Sequence, residues 1–178
     1  MLKRSAFFVV LALSLVVGTS HAQNVTKETL AGVTNFARLE TTIACAGATT
    51  PAAVAGLKQM GYASIINLRL ATEPGADVDA EAAAAKAAGI NYIHLPFNAA
   101  APDTAVVDNF LKAVTDKKNE PAFVHCASGN RAAAFWMIKR MQIDKWDADR
   151  AGAEAAALGL TNGALKTFAL DYVQSHKQ

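Results

Sequence analysis

Between Val124 and Arg131 the chain reads Val-His-Cys-Ala-Ser-Gly-Asn-Arg, and an apolar helical pattern follows at once. A cysteine, a glycine and an arginine this close to a helix start are the ingredients of an anion site. A loop that leaves a strand and enters a helix aims its backbone N–H groups at one point, and the helix dipole adds roughly half a positive charge there. At the edge of such a cup, Cys126 would have its thiolate stabilised by the amides of Ala127, Ser128, Gly129, Asn130 and Arg131, by the Arg131 guanidinium and by a polar contact from His125. Together these would lower its pKa below the free value of about 8.5 and make it a nucleophile at neutral pH. Gly129 would supply a positive φ or a close backbone approach to an oxyanion. The fork of Arg131 matches two oxygens of a phosphate or sulfate.

Each residue also has a plainer reading. Cys126 could be a buried thiol or half of a disulfide with Cys45, the other cysteine of the chain. Arg131 could be a solvated first-turn residue, although a cation at a helix N-terminus opposes the dipole and calls for an anion to compensate it. His125 directly precedes the cysteine, so strand alternation sends its side chain to the opposite face, where it would support the loop rather than transfer protons.

Short β-type runs alternate with helical patterns along the rest of the chain. Residues 41–47, 63–69, 92–97 and 122–126 read as strands, and the run at 63–69 is apolar enough to be buried on both faces. Helices are expected from Thr50-Pro51 to Gly61, with Thr50 as N-cap, and over 78–88, 104–117, 131–141, 147–158 and 162–174. "DAEAAAAKAAG" is low in complexity but made of strong helix formers, with Gly89 where a helix stops. Residues 35–40 are expected to pair with the next strand as an antiparallel edge. The alternation predicts an α/β fold: a mostly parallel central sheet of about four to five strands with helices on both faces. Ligands in such sheets bind beyond the carboxyl ends of the strands, where Cys126 lies.

The first 22 residues read as a secretory signal. Lys3 and Arg4 form the basic start, residues 6–17 the apolar stretch, and Ser20-His21-Ala22 the cleavage site. About twelve apolar residues fall short of the roughly 20 needed to span a bilayer. Removal leaves residues 23–178, expected to be one domain, secreted and periplasmic, with no membrane attachment after cleavage. Of the 17 Lys and Arg, two fall in the removed segment, so 15 remain against 15 Asp and Glu. Neither that balance nor any basic stretch points to nucleic acid. In an oxidising compartment a Cys45–Cys126 disulfide becomes a hypothesis: it would lock the nucleophile in a protected form.

"VHCASGNR" resembles the active-site loop of the cysteine-dependent phosphatases, whose pattern is His-Cys, five residues, then Arg. Upstream, "INLRLATEPG", "AAKAAGINYIHLPF" and "VDNFLKAV" resemble a bacterial branch of the dual-specificity-like tyrosine phosphatases, the group of domains found fused to β-lactamase-like hydrolases. The resemblance runs from about Phe36 to Gly159. It implies a phosphatase-like fold and hydrolysis of a phosphomonoester through a cysteinyl-phosphate, with a phosphorylated small molecule or phosphoprotein as substrate. No cofactor and no metal are implied.

In that scheme Cys126 attacks phosphorus, the loop from Ala127 to Arg131 holds the oxygens, and an upstream Asp protonates the leaving group. Asp103 is the only acidic residue between Tyr92 and Val107 and is the candidate, although an Asp just before a helix is equally an N-cap. Two departures stand out. Only four residues separate Cys126 from Arg131, as in the rhodaneses, sulfurtransferases that carry a persulfide. Ala132 stands where many phosphatases have Ser or Thr, a role Ser128 could partly take. The alternatives are therefore a rhodanese-like sulfurtransferase using a Cys126 persulfide and a non-catalytic oxyanion-binding module. Arg69 and Glu73 fall just past a strand end, as substrate-rim residues or as an ion pair. His94, inside an apolar strand, reads as a core or supporting histidine.

Overall fold

The computed structural model describes residues 25–176. The expected signal and its cleavage site lie outside these residues. The elements run β1 (Val25–Lys27), β2 (Ala37–Leu39), β3 (Ile43–Ala46), α1 (Val54–Gln59), β4 (Ser64–Asn67), α2 (Val78–Ala88), β5 (Asn91–His94), α3 (Thr104–Thr115), β6 (Ala122–His125), α4 (Asn130–Gln142), α5 (Ala148–Leu158) and α6 (Gly163–Ser175). The strands form one sheet in the order β1-β2-β3-β6-β4-β5. The four strands from β3 to β5 are parallel, and β1 and β2 extend the sheet antiparallel.

The sheet thus has six strands rather than four or five, and β2 lies second from the edge rather than at it. The extra strand is three residues, Val-Thr-Lys, too short and too exposed to carry an alternating pattern. A second correction concerns Thr50, which makes no side-chain cap. Pro51 opens a short 3₁₀ turn, and α1 begins only at Val54. The remaining helices match their sequence signals because local chemistry sets their ends. Asp77 and Asp147 each accept a bond from the third amide of the helix they open, and Gly89 and Gly159 end those helices in the left-handed conformation.

Alternation along the buried strands divides the interior in two. On one face Phe36, Ala44, Ala46, Ile65 and Phe123 meet α1 and α2 through Val54, Leu57 and Ala85. On the other, Ile43, Cys45, Ile66, Val124 and Cys126 meet α3 to α6. Helix α4 lies at the centre of that second layer and is apolar nearly all round, since α5 and α6 cover the side turned from the sheet. Its Phe135 ring sits 4.8 Å from Phe97 and 5.2 Å from Phe110 and has no exposed surface. At the outer side Trp136 Nε1 and Arg140 Nε both donate to Glu154 Oε1, at 2.7 and 2.6 Å, tying α4 to α5.

Phe135→Ala should cost about 3–5 kcal/mol, the range for emptying a ring-sized site in a packed interior. Urea unfolding followed by circular dichroism measures it, and a loss below about 1 kcal/mol would show that the second layer does not depend on this ring.

Candidate active site

Strand β6 ends at His125, and the next six residues turn through the loop into α4. Gly129 adopts φ of +93°. A Cβ there would meet Ala46 only at ordinary contact distance, 3.5 Å or more, so the constraint is the backbone conformation rather than space. Gly47 faces the loop from the end of β3 and is constrained in the other way. A Cβ on it would fall 2.4 Å from Thr34 Oγ1 and 3.2 Å from the Ala127 carbonyl, so a side chain here would force Thr34 or the loop to shift. That contact is pinned outward: Ala48 N donates to Ala127 O at 3.0 Å and Asn35 Nδ2 to Ser128 O at 3.1 Å.

With those carbonyls held outside, the amides are left for the cup. The Gly129 amide donates to Cys126 Sγ at 3.1 Å. Among the described residues no backbone or side-chain acceptor is matched to the amides of Ala127, Ser128, Asn130 or Arg131. Helices α2, α3, α5 and α6 each open on a capping side chain, whereas α4 opens on Gly129 and has no acidic residue in its first turn. A helix start left with open donors around a sulfur is suited to an oxyanion. Cys126 itself is fully buried at the base of the loop.

Arg131 does not lie along the surface. Its Nη1 donates to Leu68 O at 3.1 Å and to Phe97 O at 2.9 Å, and Nη1 and Nη2 meet the two Glu73 oxygens at 2.6 and 2.8 Å. Burial lowers the Arg131 pKa, but the bonds to Glu73 and then the nearby Cys126 sulfur outweigh it and raise the group above its ordinary value. Glu73 is held in turn. It accepts from Leu70 N at 2.9 Å and from Arg69 Nε at 3.4 Å, and the Arg69 guanidinium closes the turn by donating to Pro74 O and Gly75 O. Burial pushes the Glu73 carboxyl up, but bonds from Arg131 and Leu70 outweigh it and hold the group below the usual carboxylate range. Arg69 and Glu73 are therefore an ion pair, and Glu73 is the anion that compensates the cation at the start of α4.

Above Arg131 a shallow cavity of about 190 Å³ opens between Leu70, Phe97, Asn98, Ser128, Asn162 and Leu165. Two of these residues come from the start of α6. Asn130 Oδ1 fixes that segment by accepting from Thr161 N at 2.7 Å, Thr161 Oγ1 at 3.3 Å and Asn162 N at 2.8 Å. Nothing local in the sequence marks Asn162 or Leu165 as site residues. Asp103 is exposed, accepts from Ala105 N at 2.9 Å as the N-cap of α3, and does not line this cavity. His94 Nε2 lies 2.8 Å from Arg69 O, a supporting contact. Among the described residues no group of three or more His, Cys, Asp or Glu is placed to hold a metal ion.

His125 is on the face opposite Cys126, fully buried, with Nε2 2.9 Å from Glu81 Oε1. Cys45 and Cys126 are both free. They share a face on adjacent strands, but Cys45 is registered with Val124, two residues short of Cys126. Diagonal neighbours on a sheet stand about 7–8 Å apart, beyond the roughly 4.4–6.8 Å between Cα atoms that a disulfide spans. Burial, and next the nearby Cys126, raise the Cys45 pKa strongly, so Cys45 stays a thiol at neutral pH.

A mostly parallel sheet flanked by helices, with a Cys-to-Arg loop at the carboxyl end of β6, is the architecture of a phosphatase-like α/β domain. Residues 35–143 match the model of the beta-lactamase hydrolase-like protein, phosphatase-like domain family, and the chain belongs to that family. It is 33% identical over 112 residues to the Beta-lactamase hydrolase-like protein of Xylella fastidiosa, a match covering 61% of this chain and 25% of that protein, so the chain spans about a quarter of its relative's length.

Solved structures share the fold. A DUF442 protein from Shewanella putrefaciens CN-32 superposes with TM-score 0.68 at 20% identity over 83% of this chain and 96% of its own. P. aeruginosa TpbA gives 0.65 at 21% identity over 89% and 92%, and a cysteine-to-serine variant of it has been solved in complex with pTyr. The core catalytic domain of the PP-IP phosphatase SIW14 from S. cerevisiae gives 0.67 at 16% identity over 83% and 91%.

Because the Glu73 carboxyl titrates lower in the folded chain than in the unfolded one, its contribution to stability is present above about pH 4.3, the unfolded carboxyl value, and is lost as pH falls through the lower folded value. The stability gap between wild type and Glu73→Gln should accordingly be full at pH 6 and close on acidification below about pH 4, as read by urea midpoints across that range. A gap independent of pH would mean that Arg131 is not held by an ionised Glu73.

Proposed function

We propose that the chain is a secreted phosphoric monoester hydrolase that works through a cysteinyl-phosphate. The observation that carries this reading is the Gly129 amide donating to Cys126 Sγ at the uncapped start of α4, with the Arg131 guanidinium beside the sulfur. In the first step Cys126 Sγ attacks phosphorus while the bond from phosphorus to the leaving oxygen breaks. The amides from Ala127 to Arg131 and the Arg131 side chain take up the charge on the non-bridging oxygens, which is worth most where donors are already in place. Asp103 gives its proton to the leaving oxygen. For that its carboxyl exchanges the Ala105 amide for substrate, and the loop carrying Asn98 and Ala99 in the cavity wall leads to it. In the second step water attacks the cysteinyl-phosphate, Asp103 takes the water's proton, and the S–P bond breaks to return the thiolate.

The substrate is a phosphorylated small molecule or phosphoprotein. TpbA has been crystallised with pTyr and SIW14 is described as a PP-IP phosphatase, so an aryl phosphate and an inositol pyrophosphate are the first probes. The four-residue spacing favours one other reading, a sulfurtransferase carrying sulfane sulfur on Cys126. Paired assays on reduced protein separate them. Aryl-phosphate hydrolysis abolished by Cys126→Ser and reduced at least about a hundredfold by Arg131→Lys, the scale of losing one transition-state donor, is the expected result. Thiosulfate-to-cyanide transfer without phosphate release would overturn it. Asp103→Asn should slow hydrolysis of a poor alkyl leaving group by about a hundredfold and affect an activated aryl ester less. An unchanged rate and pH profile on the alkyl ester removes Asp103 from the scheme.

Secretion rests on residues 1–22. Protein recovered from a periplasmic fraction should begin at Gln23 when its N-terminus is sequenced, and a start at Met1 would contradict this. Among the described residues no helix is long and apolar enough to cross a membrane.

A further inference from the structure

At about 190 Å³ the cavity above Arg131 is smaller than the roughly 300 Å³ at which pockets begin to enclose a whole small ligand. It has room for the phosphoryl end of a substrate, and the rest must lie elsewhere. A second cavity, of about 520 Å³, begins at its rim and shares Ser128 and Asn130 with it. Those two side chains are joined, Asn130 Nδ2 donating to Ser128 Oγ at 3.2 Å. The far walls come from Lys27 at the end of β1, from Thr29 and Asn35 in the connection to β2, and from Thr161 between α5 and α6. Lys27, Thr29 and Thr161 fall outside residues 35–143, so this space is built by the two ends of the chain as much as by the segment that matches the family.

The cation in this cavity is fixed but not neutralised. Lys27 Nζ donates to Ala157 O at 2.7 Å, in the last turn of α5, where the helix dipole favours a positive charge. Its neighbour Glu28 pairs instead with Arg38, at 3.3 Å, and Lys27 enters no ion pair among the described residues. An ammonium carries three donors, of which this bond uses one. The strand register measures how far the charge stands from the sulfur. Lys27 pairs with Ala37, Ala37 with Cys45, and Cys45 with Val124, so Lys27 lies in the row two residues short of Cys126 and on the same face of the sheet. Three strand spacings of about 4.8 Å put β1 roughly 14 Å from β6. An extended chain advances about 3.4 Å per residue, so about four residues cross that distance.

We propose that the second cavity receives the flank of a phosphorylated peptide, and that Lys27 pairs with an acidic side chain about three or four residues from the phosphorylated one. This deepens the reading of the loop as a phosphoryl site and rests on it. The hydroxyls of Thr29 and Thr161 line the path between the two charges and suit the amides of a peptide backbone, whereas a compact phosphate ester fills the first cavity without reaching Lys27.

The test is binding of fluorescent phosphotyrosine peptides, read by anisotropy on the chain carrying Cys126→Ser, which holds a peptide without turning it over. The peptides are otherwise uncharged and carry one Glu at each position up to four on either side. Glu three or four positions away on one side should tighten binding about fivefold over the uncharged peptide, the upper end for an exposed ion pair. Lys27→Met should bring that ratio to about one, Lys27→Glu should invert it, and Lys27→Arg should retain it. A ratio that survives Lys27→Met overturns the proposal. So does an equal loss for charged and uncharged peptides, which would make Lys27 only a staple between β1 and α5. With Lys27 intact, the ratio should also fall toward one at about 1 M salt, where the screening length is about 3 Å, and a ratio indifferent to salt counts against the pairing. Tighter binding of adenosine 3′,5′-bisphosphate than of the 5′-monophosphate, abolished by Lys27→Met, would put the cation within reach of a compact ligand and overturn the peptide assignment. The two readings fail separately. A wild type that hydrolyses an aryl phosphate, while Cys126→Ser binds charged and uncharged peptides alike, keeps the hydrolase and loses this site. A wild type inert to phosphate esters, with a Lys27-dependent peptide preference, does the reverse.

Discussion

A cation in the first turn of a helix is electrostatically misplaced, and the fold around the loop is organised by how that misplacement is relieved. Arg131 cannot compensate the dipole of α4, so its guanidinium swings off the helix axis onto Glu73 and the carbonyls of Leu68 and Phe97. Those three partners belong to the turn after β4 and the segment after β5, and a single side chain thereby registers two strand ends against one helix start. A fork with several fixed donors can do this, whereas a lysine offers one point charge. The amides at the start of α4 are left without a protein anion, which keeps the cup open to a ligand.

The support behind this arrangement is layered. Glu73 reaches Arg131 only because Arg69 spans the turn that carries it, and Arg69 is placed by its own amide donating to Asn67 Oδ1 at 2.8 Å. Asn67 also meets Glu81 through its other terminus. One asparagine at the end of β4 therefore links Glu81 on α2 to the ion pairs on the opposite side of the loop. Such a buried network fixes geometry where its polar groups are bonded, as both ends of the Asn67 amide are.

Much of the fold could be read from the chain because its signals are local. Helices α2 and α5 carry an Asp at the start and a glycine at the end, and the runs that became β4 and β6 are continuous and apolar because helices bury both of their faces. The loop was legible for the same reason, its chemistry lying within seven consecutive residues. What escaped is what depends on distant partners. The contact of Glu73 with Arg131 spans 58 positions, and that of Glu81 with His125 joins a helix in an alanine-rich stretch to a strand end. Neither has a sequence period. Thr50 misled because a Thr-Pro pair fits a 3₁₀ turn as well as a capped helix, and β1 is too short to show alternation.

The bonds from Thr161 and Asn162 to Asn130 bear on how such a domain can diversify. The segment that matches the family ends at residue 143, and it contains Cys126, Arg131 and every strand from β2 onward. One wall of the opening above Arg131 is built by Asn162 and Leu165, which lie beyond it. Residues 35–143 transplanted alone would bring Cys126 and Arg131 without one wall of that opening. The tail of the chain can thus reshape that opening without altering a single residue of the loop from Cys126 to Arg131.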